Sequence, residues 1–312
     1  MRIEYHRTLI ADRVRIAAFR AALAATIRKG QSVVVDIGTG SGVLAMLAAK
    51  LGAKKVYAYE KAEIGAVAER LVRLNKLRNV EVIPARSTEI IDPPRGDIVV
   101  SETLGNYALE EFLIETMNDA AARHLKPNGV LIPRAIEQFA CPIVAPRVFE
   151  ELSVWDGVED GLDFGPARVM SLNNVYVRSF PAHELLDAGA AARCWDRIDL
   201  TARNRLSRKG SIAWQVDHAV TVFGLAVWWR AELSDRVSLS TSPLAPATHW
   251  EQLYFPALEP LQLEPGERLA AELRSRSSEE GGTNLAWTLA IATAKGRQRA
   301  RQVLNLEKGF LP

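Results

Sequence analysis

The sequence predicts a doubly wound α/β domain that is followed by an antiparallel all-β domain. Two features of the chain support this fold class. Between residues 33 and 133, short apolar runs alternate with amphipathic helical stretches, which is typical of parallel strands joined by crossover helices. From about residue 134, strand-like runs are separated by turn residues and long helical patterns stop. The pattern therefore indicates a Rossmann-like domain over 1–133 and an antiparallel sandwich or barrel over 134–312.

A helix over residues 7–28 precedes the first predicted strand, because apolar residues from Leu9 to Ile27 recur at helical spacing. The strand-like runs of the first domain are 33–37, 55–60, 80–85, 97–102 and 129–133. The helical stretches between them are 42–51, 62–76 and 108–125. Ligands bind at the carboxyl ends of the strands in sheets of this type, so a site is expected there.

The second domain contains strand-like runs such as FACPIVAP and WEQLYFP, with turn residues between them. Near residues 156–195 the pattern changes, and segments such as DGVEDGLDFG lack the alternation of a strand. We therefore expect an excursion from the sheet in this part of the chain.

The composition excludes several classes of protein. The formal net charge of the 312 residues is +2 and no long run of like charges occurs, so no direct nucleic-acid partner is expected. Cys141 and Cys194 form no CxxC pattern, which predicts two reduced thiols and no metal site. Neither a secretory signal nor an apolar stretch long enough for a membrane span is found. The predicted location is the cytoplasm.

The strongest local motif is the segment DIGTGSG at residues 36–42, which follows a predicted strand and opens a predicted helix. Gly38, Gly40 and Gly42 suit a tight turn that a ligand approaches closely, and the helix N-terminus adds free N–H groups. Glu60 ends the second predicted strand, where a carboxylate can bind both hydroxyls of a ribose. The motif therefore predicts a nucleoside-containing ligand.

Two kinds of nucleoside cofactor and a purely structural turn are possible readings of this motif. A dinucleotide site normally has GxGxxG spacing, whereas this chain has GxGxG. Asp36 precedes the first glycine by two places, and its carboxylate would repel a pyrophosphate but suits the cationic methionine end of S-adenosylmethionine (SAM). SAM is therefore the favoured cofactor. Glu89 follows the third strand, as either an acceptor for the adenine amino group or a solvated surface acid.

A pair of glutamates follows the fourth predicted strand. Glu102 ends that strand, and the intervening Gly105 and Asn106 favour a turn that lets Glu111 face it. Two converging carboxylates suit a fork-shaped cation such as a guanidinium group. The alternative is that Glu111 is an ordinary acid at a helix N-terminus.

The chain resembles the protein arginine N-methyltransferase family in four ordered segments. They are the SAM-binding core VVVDIGTGSGVLAMLAAKLGAKKVYAYE, the double-glutamate loop SETLGNYALEEF, the threonine–histidine–tryptophan loop STSPLAPATHWEQLYF with Thr248, His249 and Trp250, and the N-terminal motif HRTLIADRVRIAAF with His6, Asp12 and Arg15. The resemblance covers nearly the whole chain.

The resemblance implies a role for each candidate residue. Arg15 would pair with the carboxylate of SAM, Glu60 would hold the ribose, and Glu89 the adenine. Glu102 and Glu111 would grip the guanidinium of the substrate, and the second product would be S-adenosylhomocysteine.

The resemblance also implies how the β domain takes part. His249 would reach back to Asp12 across the domain boundary, either to accept a proton or to fix the interface. The family's β-barrel, with its inserted dimerisation arm, would account for the excursion at about 157–195. Apolar residues of that stretch, Val169, Met170, Leu172, Val175 and Val177, then suit a homodimer contact or an ordinary barrel core.

The chain departs from the family pattern near the acceptor. Only Met1 to Tyr5 precede His6, where the family carries a tyrosine-rich helical motif. Thr103 stands at a position that is usually aromatic, and Leu9 and Leu113 stand where many members have methionine. The substrate is therefore open between a protein or peptide arginine and a guanidinium-bearing small molecule or peptide natural product. A SAM-binding scaffold without turnover is the third hypothesis.

Overall fold

The computed structural model describes residues 3–309. The helices are α1 (Ile3–Ala11), α2 (Arg13–Thr26), α3 (Val43–Lys50), α4 (Ile64–Leu74), α5 (Leu113–Asp119), α6 (Arg147–Leu152) and α7 (Gly165–Leu172). The strands are β1 (Val33–Ile37), β2 (Lys55–Tyr59), β3 (Val80–Ile83), β4 (Gly96–Ser101), β5 (Leu125–Ile132), β6 (Ala135–Ile143), β7 (Tyr176–Arg178), β8 (Arg193–Asp199), β9 (Ser207–Gln215), β10 (Val220–Ser234), β11 (Val237–Ser240), β12 (Gln252–Leu263), β13 (Arg268–Ser278), β14 (Gly282–Ala292) and β15 (Gln298–Asn305).

The first five strands form one parallel sheet in the order β3-β2-β1-β4-β5. The order changes direction beside β1, so the ends of β1 and β4 flank a switch point, where ligands bind in open α/β sheets. Val34 and Val35 of β1 are fully buried, because helices cover both faces and favour continuous apolar runs. The predicted Rossmann-like sheet is confirmed.

Two predicted helices differ from those in the structure: one is divided and the other begins later. The helix expected over 7–28 is divided into α1 and α2 at Asp12, whose extended backbone and side chain cap α2 by accepting the N–H of Arg15 at 2.8 Å. The helix expected over 108–125 begins only at Leu113, after Phe112 adopts a positive φ of 59°. Residues 102–112 are consequently free to form the wall of a site.

The remaining strands are antiparallel, as predicted, and their ladders divide into two sheets. One has the order β7-β12-β10-β6-β8, with β11 on β10, and the other has the order β15-β14-β13-β9. Phe255 of β12 and Trp287 of β14 connect the two sheets, with ring centroids 5.0 Å apart. The Trp287 indole also donates a hydrogen bond to the carbonyl of Pro256 at 2.8 Å, so its buried polar atom is satisfied.

The interruption expected near 156–195 is partly helical. It contains α7 and the short edge strand β7, and the chain rejoins the sheet at β8. Helix α7 buries Leu172 completely and leaves Met170 58% exposed. Helix α7 therefore has one face on the core and an apolar side chain towards solvent.

Side chains from the antiparallel region hold the loop that follows β4. The indole of Trp229 donates to the carbonyl of Gly105 at 3.0 Å, and the indole of Trp250 donates to that of Leu104 at 2.9 Å. These buried hydrogen bonds hold the backbone of the loop against the antiparallel region.

No helix within residues 3–309 is long and apolar enough to cross a membrane. The cytoplasmic location stays a prediction.

Candidate active site

A cavity of about 570 Å³ lies at the carboxyl ends of β1, β2 and β4. Residues of α1 and α2 cover it, and the loop after β4 forms one wall. Six of the residues that we identified from the sequence line it: Arg15, Gly38, Gly40, Glu60, Glu102 and Glu111. Asp12, Asp36, Gly42, Glu89 and His249 are not among the lining residues.

The glycine loop turns through the left-handed region, with φ values of 70° at Gly38, 56° at Gly40 and 82° at Gly42. A Cβ on Gly40 would lie 3.0 Å from Cε1 of His6, so this position needs glycine for both conformation and space. Gly42 begins α3 as its N-cap and contributes to the turn rather than to the cavity wall.

Asp36 lies beneath the loop instead of in the cavity. It is 1% exposed, and its carboxylate accepts a hydrogen bond from the hydroxyl of Thr39. Burial raises the pKa of Asp36 to about 6, although the Thr39 hydrogen bond opposes the rise. The direct cofactor contact predicted for Asp36 is therefore replaced by a role in shaping the turn.

Glu60 and Glu89 differ in their position relative to the cavity. Glu60 lines it, and its two carboxylate oxygens accept the N–H groups of Gly40 at 2.9 Å and Ala62 at 2.8 Å. Each carboxylate oxygen has further lone-pair capacity for a ligand hydroxyl. Glu89 is exposed at the end of a short 3₁₀ turn, whose Thr88 faces the cavity instead. The structure does not support the adenine contact predicted for Glu89, because the turn directs it outwards.

Arg15 and Glu102 form an ion pair within the cavity wall. Both side chains are 5% exposed, and Nε of Arg15 donates to Oε2 of Glu102 at 2.6 Å, with a second donation from Nη2. Burial raises the pKa of Glu102, and the adjacent guanidinium opposes this rise. Arg15 thus offsets part of the cost of burying the Glu102 carboxylate beside the glycine loop.

Glu111 is the other glutamate of the pair and has a different environment. It is half-buried, and no ion pair to it is formed within residues 3–309. Burial and the negative charges of Glu102, Glu110 and Glu60 raise the pKa of Glu111 to about 7. A concentration of carboxylates suits a cationic ligand, and a guanidinium matches the fork geometry of two carboxylates.

Asp12 and His249 meet across the two regions, as the resemblance implied. The ring Nδ1–H of His249 donates to Asp12 Oδ2 at 2.8 Å, and the backbone N–H of His249 donates to the same oxygen at 2.9 Å. Burial lowers the pKa of His249, which favours the neutral ring. Burial alone would raise the pKa of Asp12, but hydrogen bonds from Arg15 and His249 hold it below its usual value. The pair lies behind Arg15, outside the cavity wall.

Three of the lining residues that were not assigned a role from the sequence are His6, Tyr5 and Glu279. His6 is buried over Gly40, and its Nε2 has no hydrogen-bond partner among residues 3–309. Tyr5 lines the mouth with its ring 6.2 Å from that of His249. Glu279 comes from the β13–β14 turn, and no local pattern in the sequence distinguishes it from a surface acid.

The residues present fit an adenosyl amino acid as the ligand. The glycine loop permits close approach, Glu60 offers carboxylate oxygens, and Arg15 offers a guanidinium. The unpartnered Nε2 of His6 is a buried polar atom of the kind that a bound ligand satisfies.

Comparisons with known proteins show to which family the chain is similar. Residues 20–137 match the family model of the ribosomal protein L11 methyltransferase (PrmA), and residues 135–308 match that of the PRMT5 oligomerisation domain. Protein arginine N-methyltransferase 2 of Xenopus tropicalis is 27% identical over 87% of this chain and 66% of its own length. Protein arginine N-methyltransferase 1 of Schizosaccharomyces pombe is 29% identical over 88% of this chain and 82% of its own length.

Solved structures share the fold of the whole chain. The Trypanosoma brucei PRMT1 enzyme–prozyme heterotetrameric complex with AdoHcy has a TM-score of 0.85 at 24% identity, covering 96% of this chain and 97% of that one. Arabidopsis thaliana protein arginine methyltransferase 10 has a TM-score of 0.82 at 23% identity, covering 98% of both chains. Since the PRMT5 oligomerisation-domain model alone spans more than half of the sequence, the chain belongs to the protein arginine N-methyltransferase family.

Proposed function

We propose that the protein transfers a methyl group from SAM to a guanidinium nitrogen of an arginine side chain in a protein or peptide. The observation that carries this proposal is the convergence of Glu102 and Glu111 on one cavity, beside a glycine loop and Arg15. The names of the related proteins support the same activity.

The cofactor would be held by residues from three parts of the parallel-sheet region. Glu60 would bind the ribose hydroxyls, Arg15 would pair with the carboxylate of the methionine end, and Gly38 and Gly40 would let the backbone approach it. When bound, SAM supplies an electrophilic methyl group, and S-adenosylhomocysteine is the product. Asp36 and Gly42 support this end of the site indirectly by keeping the loop in its turn.

The two glutamates would orient the acceptor. Among the residues that the structure describes, Glu111 has no ion-pair partner, and Oε1 of Glu102 accepts only a long hydrogen bond of 3.4 Å from Leu104. Both glutamates can therefore accept further hydrogen bonds from guanidinium N–H groups. If the two carboxylates bind two edges of the planar guanidinium, its remaining nitrogen would face the cofactor. Holding the reacting groups in near-attack geometry contributes up to about 7–11 kcal/mol in favourable cases.

The acceptor nitrogen must lose a proton as it is methylated, because guanidinium groups stay protonated in water near neutral pH. Glu111 lies at the site, and its pKa is raised to about 7 by burial and the neighbouring carboxylates, so it is suited to receive that proton. Asp12 and His249 do not line the cavity, and we assign them to fixing the interface and Arg15.

Isotopically labelled SAM, offered with arginine-rich peptides, free arginine analogues and cell extract, tests the proposed activity. We expect label in peptides or proteins as methylarginine after hydrolysis, and its loss with Glu102→Gln. The control is Glu69→Gln, which removes a charge from an exposed i,i+4 pair on α4. Label only in free guanidinium compounds would contradict a protein substrate, and no S-adenosylhomocysteine above background would indicate a non-catalytic scaffold.

We also propose that the chain comprises two domains, residues 1–133 and residues 134–312. We further propose that it forms a homodimer through an arm at about 157–195. Exposed apolar side chains on and next to this arm support the contact, with Val154 62%, Leu162 60% and Met170 58% exposed. Met170→Glu should shift the mass measured by light scattering towards the monomer. A monomeric mass of the unmodified protein would contradict the dimer.

A further inference from the structure

The adenine end of the cavity is built from residues that the sequence did not single out. The base of the proposed cofactor would lie beyond Glu60, the proposed ribose contact, on the side of β3, and Ala85, Arg86 and Thr88 after β3 line the cavity there. Glu89 does not. The contacts for the base must therefore come from other side chains that border the same space.

Glu279 is the one lining residue within 3–309 that comes from the antiparallel region. It follows β13, whose end is attached to the loop and helix beyond β4 by successive hydrogen bonds. The hydroxyl of Tyr107 donates to Ser275 at 2.6 Å, Ser277 donates to the carbonyl of Leu109, and the N–H of Glu279 donates to Glu115 at 2.8 Å. The position of Glu279 beside the cavity is thus fixed by its backbone.

Arg86 is the partner of Glu279. Nη1 of Arg86 donates to Oε2 of Glu279, and the Arg86 side chain is 24% exposed. This hydrogen bond raises the pKa of Arg86 further above neutral, so the guanidinium is always charged. A planar guanidinium held beside a cavity is suited to stack on the face of an aromatic ring.

We propose that Arg86 contacts the adenine ring of the cofactor and that Glu279, itself held by Glu115, keeps the guanidinium in place. The proposal rests on the proposed function, because it assumes a cofactor with an adenine base. Arg86 acts on the base directly, and Glu279 is a positioning residue. The antiparallel region thereby contributes to the affinity for the cofactor as well as to the interface.

The test is calorimetric binding of two ligands, S-adenosylhomocysteine and S-ribosylhomocysteine, which lacks the adenine base. Arg86→Gln should weaken S-adenosylhomocysteine binding about two- to fivefold, the range expected for a cation–aromatic contact at a partly exposed site. Glu279→Gln should act in the same direction to a smaller extent. Neither change should alter the affinity for S-ribosylhomocysteine.

The matched control is Arg134→Gln, which removes the partner of Asp235 in an ion pair away from the cavity. This variant should bind both ligands as the unmodified protein does. Unchanged binding of S-adenosylhomocysteine to Arg86→Gln overturns the proposal, and so does equal weakening of both ligands, which would indicate a general interface role. Failure of the unmodified protein to bind S-adenosylhomocysteine would overturn the proposed function itself.

Discussion

Glu102 and Glu111 have the same side chain but different surroundings, and this difference decides their chemistry. Glu102 is paired with Arg15, whereas Glu111 is half-buried beside three other carboxylates and forms no ion pair within the described residues 3–309. The spacing of the two residues in the sequence indicated that they converge. Which of the two forms an ion pair depends on which of them Arg15 reaches, and this is a property of the folded α2.

The affinity for a guanidinium substrate should depend on pH through Glu111. Its pKa is raised to about 7, so the carboxylate is largely protonated below this pH and cannot pair with the substrate. KM for a peptide should therefore fall as the pH rises through about 7 and then level off. Glu110→Gln removes a neighbouring charge and should move this transition to lower pH. Identical pH profiles of KM for the two proteins would contradict this assignment.

The choice between Thr88 and Glu89 illustrates a limit of sequence interpretation at the residue scale. The sequence predicted that a contact with the adenine follows the third strand, at Glu89, and this placement of the base stays a prediction. The 3₁₀ turn over Ser87–Glu89 determines which side chain faces the cavity. Thr88 lines the cavity, whereas the next residue, Glu89, does not. A segment of three residues is too short for a periodic pattern in the sequence to indicate which side chain faces the cavity.

The break between α1 and α2 matters most at the scale of elements. Apolar spacing alone predicted one helix, because both helices have the same period. Asp12 ends α1 and caps α2, and its other oxygen is occupied by His249. Since α2 carries Arg15 and α1 carries Tyr5 and His6, the break lets both helices border the cavity.

Two substitutions of Asp12 separate its capping role from its charge. Asp12→Ala should lower the free energy of unfolding by about 1–3 kcal/mol, because it removes an N-cap and leaves buried donors unpaired. Asp12→Asn retains a good N-cap and should cost less, with kcat changed only a few-fold. Urea unfolding and steady-state kinetics measure both effects. A large loss of kcat in a stable Asp12→Asn protein would instead indicate that the pair accepts the proton.

At the scale of the whole molecule, the antiparallel region completes a site that the parallel sheet begins. Continuous apolar runs and turn residues were sufficient to predict the two kinds of sheet. The contacts of Trp229, Trp250 and Glu279 with the parallel-sheet region join residues that are more than a hundred positions apart. The threonine–histidine–tryptophan resemblance pointed to Trp250, but nothing local indicated the other two.

Trp250 should couple stability to substrate affinity. Trp250→Phe keeps an aromatic ring but removes the indole donor, which leaves the buried carbonyl of Leu104 without its partner. We expect the free energy of unfolding to fall by about 1–3 kcal/mol and KM for the peptide to rise, because the loop that carries Glu111 loosens. Trp155→Phe, in the exposed segment before α7, is the control. If KM were unchanged in a destabilised Trp250→Phe protein, Trp250 would contribute to folding and not to substrate affinity.

Glu111→Gln tests whether two carboxylates hold a guanidinium for methylation. The measurement is kcat/KM for the best arginine peptide, made together with the affinity for S-adenosylhomocysteine. We expect a fall of about 100-fold or more in kcat/KM, as expected when one partner of a charged hydrogen-bonded pair is removed, with cofactor affinity within about threefold. A kcat/KM close to that of the unmodified protein would contradict this role of the two glutamates.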